Sequence, residues 1–317
     1  VEQLQGYDTS RLMLVSDGIF ADHLISRGNM DWIIAEAILH GIDPIRAIQM
    51  ATINPARYFR LDHRLGGISA GRLAHLLIAS DLEKPTPRLV MAGGTVVSED
   101  GELLVPPIEL PAPDPEYRPF KTTRVDSQTF QIKQQTSNSL VPVIRVLDQT
   151  VTEIEMVNVP ASNGYFKPPN GLLAAALISR SGEKIGRGFV KGFCSNLGGI
   201  ASTVAHETHG LLVLGQNEAD MALAANHALN LKGAIVLAHG GDIRACIPLP
   251  LGGICSLEGI PVLAAQIRAM NPLLKDFGCP LPYPIWTLVF LTFTSVLRLR
   301  LTFEGVYDVK EGHIVFP

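Results

Sequence analysis

The chain is poor in cysteine, in aromatic residues and in charge. Its 317 residues hold four cysteines, Cys194, Cys246, Cys255 and Cys279, with no C-x-x-C pair. That usage excludes a disulfide scaffold and a zinc ribbon, and predicts reduced, mostly buried thiols in a cytoplasmic protein. Charged residues make up 18% of the chain and the formal net charge is −4. There is no basic footprint for nucleic acid, and no stripe of Lys and Arg interleaved with aromatics. Long hydrophobic runs are missing too. The most apolar stretch, Ile285 to Leu297, is interrupted by Thr287, Thr292, Thr294 and Ser295, and is shorter than the ~20 residues a membrane span needs. No basic-then-apolar start suggests export. What is present is 47% hydrophobic residues over a length suited to about two domains. That is enough to bury sizeable cores and excludes a disordered chain.

Near the start, an apolar run Leu12-Met13-Leu14-Val15 leads straight into Ser16-Asp17-Gly18. A strand that ends in Asp, followed by a loop and helices, fits the catalytic mouth of a βα-barrel, where chemistry sits at the carboxyl ends of strands. The strand lies too near the first residue for a complete barrel to precede it, so the chain reads as the back end of an enzyme with one ligand of a larger site. Spacing alone leaves Asp17 open between that role and a turn residue, because Ser-Asp-Gly is a common turn string. A loop is expected over 18–29, with Asp22, His23 and Asp31 as cap or surface residues. Asp31 to Leu39 reads as a helix closed at His40-Gly41. Asp43-Pro44 opens another, with Asp as N-cap and Pro at the first position. A short helix follows at 56–59, then a glycine-punctuated turn and buried strand at 65–78, and a hairpin at 90–97 around Gly93-Gly94.

Between Val105 and Pro119 the composition shifts to six prolines, which predicts a linker or surface strap. Beyond it strands are expected near 141–147, 153–159, 172–179, 185–193, 199–204, 211–216 and 233–238. Helices are expected near 218–231, with Asn217 as N-cap, and near 256–276. Short strands should close the chain at 287–290, 306–309 and 313–316. Strands first and helices later suggest an α+β sheet with helices on one face.

Asn54-Pro55-Ala56-Arg57, followed by Gly67-Ile68-Ser69-Ala70-Gly71-Arg72-Leu73-Ala74-His75-Leu76, resembles the tail of the amidohydrolase superfamily. There a helix after the last barrel strand feeds a small flanking β-sandwich. Gly186-Arg187-Gly188-Phe189-Val190-Lys191-Gly192-Phe193 and Gly199 to His209 closely resemble the C-terminal domain of the adenine deaminase family. So do Leu249-Pro250-Leu251-Gly252-Gly253-Ile254 and Gly278-Cys279-Pro280-Leu281-Pro282-Tyr283-Pro284, and the likeness runs from about residue 10 to the end.

The resemblance implies a fold in four parts: the last strand and helices of a metal-dependent barrel over 1–60, part of a flanking β-sandwich over 61–110, the Pro-rich strap over 111–140, and a C-terminal α+β domain over 141–317. It implies hydrolytic deamination of adenine to hypoxanthine and ammonia in purine salvage, on a divalent pair of manganese or iron whose site is incomplete in this chain. Asp17 then corresponds to the Asp that binds the more buried metal and exchanges a proton with the attacking hydroxide. Adenine is the implied small-molecule partner, nucleic acid and membrane are not, and a homo-oligomer is left open. Two other readings stand beside it: a non-catalytic remnant or accessory domain, and an amidohydrolase acting on a cyclic amide or N-acyl bond. His75 stands where the superfamily usually carries Asp, and Glu207 and Gly210 stand where Asp and Asn are usual.

His206-Glu207-Thr208-His209 does not have the four-residue helical spacing of a zinc protease. It is expected as a loop between buried strands, either a structural turn or a lid closing the site over adenine near Asp17. The glycines from Gly182 to Gly192 lack the strand–loop–helix context of a phosphate cradle. Lys184, Arg187 and Lys191 alternate as the solvated face of a strand would.

Overall fold

The computed structural model describes residues 7–106, 108, 119–122, 124–134 and 139–316. The chain splits into two compact units, Val1–Pro111 and Ala112–Pro317. The strap reading at Pro107, Pro111, Pro113 and Pro115 lies outside the described residues.

The first unit opens with four helices, α1 (Ala21–Arg27), α2 (Met30–Leu39), α3 (Pro44–Ala51) and α4 (Ile53–Tyr58). Helix α1 occupies what the sequence suggests is a loop. At α3 the Asp43 side chain accepts from Arg46 N–H and Pro44 fills the first turn, as the local signals dictate. Ala37, Ile42, Ala47 and Met50 form a small core, with Leu14, Ile34 and Ile38 packed against it. The expected strand at Leu12–Val15 is not one: among the described residues it has no ladder, and a strand is defined by its neighbour's hydrogen bonds.

Four strands follow, β1 (Leu76–Ala79), β2 (Pro87–Ala92), β3 (Thr95–Glu99) and β4 (Glu102–Leu103), as one antiparallel sheet in that order. Gly93 (φ 58°) and Gly94 (φ 88°) make the two-residue turn of the β2–β3 hairpin. Among the described residues these four strands make one antiparallel meander.

The second unit holds β5 (Leu140–Val146), β6 (Thr152–Asn158), the small hairpin β7 (Ala161–Ser162) and β8 (Tyr165–Phe166), β9 (Leu172–Ile178), β10 (Ile185–Lys191), β11 (Gly199–Ser202) and β12 (Leu211–Gly215). Then come α5 (Glu218–Asn230), β13 (Ala234–His239), β14 (Asp242–Pro248), α6 (Ile260–Asp276) and α7 (Pro284–Phe290), and a closing three-stranded sheet, β15 (Leu299–Thr302), β16 (Gly305–Asp308) and β17 (His313–Phe316). The main sheet runs in the order β14-β13-β11-β12-β9-β10-β5-β6. All its pairings are antiparallel except β10 with β5.

Helix α5 covers one face. Its Met221, Ala224, Ala225 and Ala228 share a core with Ala174, Ala176, Phe189, Ala201, Val213 and Val236. Glycine lets it settle so close: a Cβ at Gly199 would lie 2.5 Å from Met221 N. The opposite face of β10 carries Gly186 and Gly188, whose Cβ atoms would strike Thr302 O and Val306 Cγ2 of the small sheet. Gly186 and Gly188 are therefore a sheet-on-sheet contact, while a Cβ at Gly192 would lie 2.6 Å from Val146 O.

Three expectations need correction. Residues 287–290 form part of helix α7, because Pro284 sets the first turn and Ile285, Leu288 and Val289 bury one helical face. Strands β14 and β15 are additional to those expected. Arg187 is not on a solvated face: it is half-buried, its Nε donates to Thr129 O at 3.1 Å, and burial pushes its pKa down. Of the thiols, Cys194 and Cys279 are buried, Cys246 is half-buried and Cys255 is exposed.

Candidate functional site

In the first unit the segment bearing Asp17 is held from the α3–α4 corner. Asn54, 5% exposed, donates through Nδ2 to Thr9 O at 2.9 Å and to Leu12 O at 2.8 Å. Leu14 N–H donates to Met50 O at 3.0 Å. Asp17 follows with φ 51°, its carboxylate exposed and Oδ1 accepting from Gly18 N–H at 2.7 Å. Asp31, in the first turn of α2, accepts from Asn29 N–H at 2.9 Å. His75 Nδ1 accepts from Gly93 N–H at 3.1 Å.

In the second unit His206, Glu207 and His209 share the connection between β11 and β12, as expected. The main chain is fixed at both ends. His206 N–H donates to Val289 O at 3.0 Å, and Thr292 Oγ1 donates to His206 O at 3.0 Å. Arg180 Nε donates to His209 O at 2.8 Å. The His206 ring packs against Phe293 and Phe290 at centroid distances of 4.2 and 5.1 Å. Its Nδ1 is buried without a hydrogen-bond partner among the described residues. The Glu207 carboxylate accepts from Thr294 N–H, Thr294 Oγ1 and Ser295 Oγ. Partial desolvation raises its pKa, but those bonds and the nearby His206 outweigh it, so the carboxyl sits below its ordinary value.

Asp17 and the His206 loop thus belong to different units. Family models match both. The model described as amidohydrolase family matches residues 8–97, and that described as adenine deaminase C-terminal domain matches 149–313. The chain belongs to the adenine deaminase C-terminal domain family.

Relatives agree. The chain is 34% identical over 321 residues to "Adenine deaminase 1" of Carboxydothermus hydrogenoformans, covering 99% of this chain and 53% of that protein. It is 35% identical over 319 residues to the adenine deaminase of Moorella thermoacetica, covering 97% and 53%. A Clostridium botulinum adenine deaminase is 32% identical over 315 residues, again at 97% and 53%. The chain spans about half the length of these curated relatives.

A divalent metal pair needs several protein ligands. Among the described residues no group of three or more His, Cys, Asp or Glu side chains converges to hold an ion. The donor set of the described residues does not fit such a pair. No helix among the described residues is long and apolar enough to cross a membrane.

Two anchoring residues have little signature in the sequence. Arg180 also donates to Gly252 O and lies over the Phe120 ring at 4.4 Å, tying the loop to the chain beyond β14. Asp220, 4% exposed, accepts from Gly240 and Gly241 N–H at 3.0 and 2.8 Å. Its only hint is a carboxylate in the first turn of α5 at a position that packs inward.

Proposed function

We propose that this chain is the C-terminal part of a metal-dependent hydrolase that converts adenine to hypoxanthine and ammonia. The observation that carries the reading is the adenine deaminase C-terminal domain match over 149–313, together with 34% identity to a relative of that name across 99% of the chain. In this reading Asp17 is the catalytic carboxylate, taking a proton from the attacking water and delivering it to the departing amine. Its exposed position supports that role, since a reacting carboxylate has to be reached. Asp17 contributes one ligand toward a manganese or iron pair, and other residues than those described complete the set. The connection that carries His206, Glu207 and His209 is assigned to a lid over adenine. What supports this is a main chain held at both ends and a His206 Nδ1 without a hydrogen-bond partner among the described residues.

The test joins the upstream half of the Carboxydothermus relative to this chain and measures ammonia released from adenine. Asp17→Asn should lower the rate at least about 10²-fold with the fold retained. Near-normal activity in that variant would make Asp17 a turn residue and overturn its assignment. A fused wild-type chain that hydrolyses a cyclic amide or an N-acyl bond, and releases no ammonia from adenine, would overturn the substrate.

A further inference from the structure

We infer that Asn54 is a positioning residue for the Asp17 carboxylate, an inference that rests on the catalytic reading of Asp17. Asn54 grips the main chain of the stretch from Thr9 to Val15. Its amide nitrogen donates to Thr9 O and Leu12 O, the two carbonyls flanking the turn closed by Leu12 N–H on Thr9 O at 3.0 Å. A primary amide suits this task because one nitrogen carries two hydrogens at fixed angles. Ser offers one donor and a carboxylate offers none.

The clamp belongs to a three-point grip. Asn54 sits on α4, and Met50 O on α3 receives Leu14 N–H at 3.0 Å. The Leu14 side chain then packs on the Ala37, Ile42, Ala47 and Met50 core. Asp17 comes three residues after the last anchor, too exposed to be held by packing of its own. Its placement is therefore inherited from the segment before it, and a displacement on the order of 1 Å remote from the chemistry can cost about 10²-fold in rate. Asn54 touches no reacting atom. It acts through the main chain of residues 9–14.

Amide hydrogen exchange on this chain as it stands, by mass spectrometry, tests the clamp directly. In Asn54→Ser and Asn54→Asp, amides of residues 12–18 should exchange about tenfold faster or more, the factor expected from at least one lost hydrogen bond in the first and two in the second. Protection over β9 to β13 should not change. Unchanged exchange at 12–18 in both variants overturns the inference.

Activity of the chimera provides the functional arm. Asn54→Ser should lower kcat about 10²-fold with KM for adenine nearly unchanged, and Asn54→Gln, which keeps both donors, should recover part of the loss. A lowered melting temperature with unaltered kcat would reduce Asn54 to a structural role and overturn the inference. If Asp17→Asn is inactive while Asn54→Ser is fully active, the inference fails and the reading of Asp17 stands. If Asp17→Asn is fully active, that reading itself falls.

Discussion

Glu207 and Thr294, 87 residues apart, are joined twice: one carboxylate oxygen accepts the Thr294 main-chain N–H at 3.0 Å and its hydroxyl at 2.6 Å. The other oxygen accepts from Ser295 Oγ at 2.7 Å. Glu207 stands at φ 69° and His209 at φ 44°, a left-handed backbone that non-glycine residues adopt only when their surroundings hold them there. The carboxylate supplies part of that hold, and its own bonding capacity is committed to the 294–295 turn.

Glu207→Ala should therefore act on stability. The side chain is exposed, so the expected loss is about 1 kcal/mol, read from the urea midpoint of the chain. A substitution that left the midpoint unmoved while altering deamination in the chimera would show that the carboxylate serves substrate instead.

Asp308 predicts a pH dependence. It is 1% exposed, and accepts from Arg298 Nε and Nη2 at 3.0 and 2.9 Å and from Lys310 N–H at 3.0 Å. Desolvation raises its pKa, but the Arg298 bond, the Glu311 and Lys310 N–H groups and the Arg298 charge win, leaving it below the ordinary value. A depressed folded-state pKa contributes stability above the unfolded value of about 3.9, and that stability is lost as pH falls through the folded value. The melting temperature should thus fall as pH drops below about 4. Asp308→Asn should be less stable by about 2 kcal/mol at neutral pH, and its melting temperature should fall less steeply over the acid range. Parallel curves for the two proteins would remove Asp308 from the acid transition.

Gly186→Ala tests the packing of the small sheet. Its Cβ would enter the Thr302 carbonyl oxygen and lie 2.8 Å from Gly305 N, both main-chain atoms that cannot rotate aside. Overpacking of this kind costs about 2 kcal/mol. The melting temperature should fall, and amides of β15 and β16 should lose protection before those of β9. Wild-type stability would mean that the two sheets can separate freely.

Several elements were legible because their causes lie within a few residues. Asp43-Pro44 starts α3, and Asn217 caps α5 by accepting from Ala219 and Asp220 N–H at 2.9 and 3.0 Å. Gly93-Gly94 turns its hairpin whatever else the chain does, and the run Leu172–Ile178, buried along its whole length, announces a central strand. The linear blocks around Gly186–Phe193 and Gly199–His209 are enough to place the family, because a family pattern is itself a property of order along the chain.

Other outcomes depended on partners that residue order does not name. The β-branched stretch 287–290 looks like a strand until Pro284 and the burial of Ile285, Leu288 and Val289 make it helix, with Trp286 stacked on Phe290 at 5.2 Å. Leu12–Val15 looks like a strand by residue type, and among the described residues its main chain bonds instead to the Asn54 amide and to Met50 O. Arg300, charged and 1% exposed, is tolerated only because Val296 O, Leu297 O and Thr150 O converge on it; burial pulls its pKa down to about 10. Caps and turns are settled by contacts within about four residues, so the sequence by itself determines them. The order of the main sheet, part of the hold on buried Arg300 and the hold on Asp17 are settled by groups tens of residues away, and only the tertiary structure brings those together.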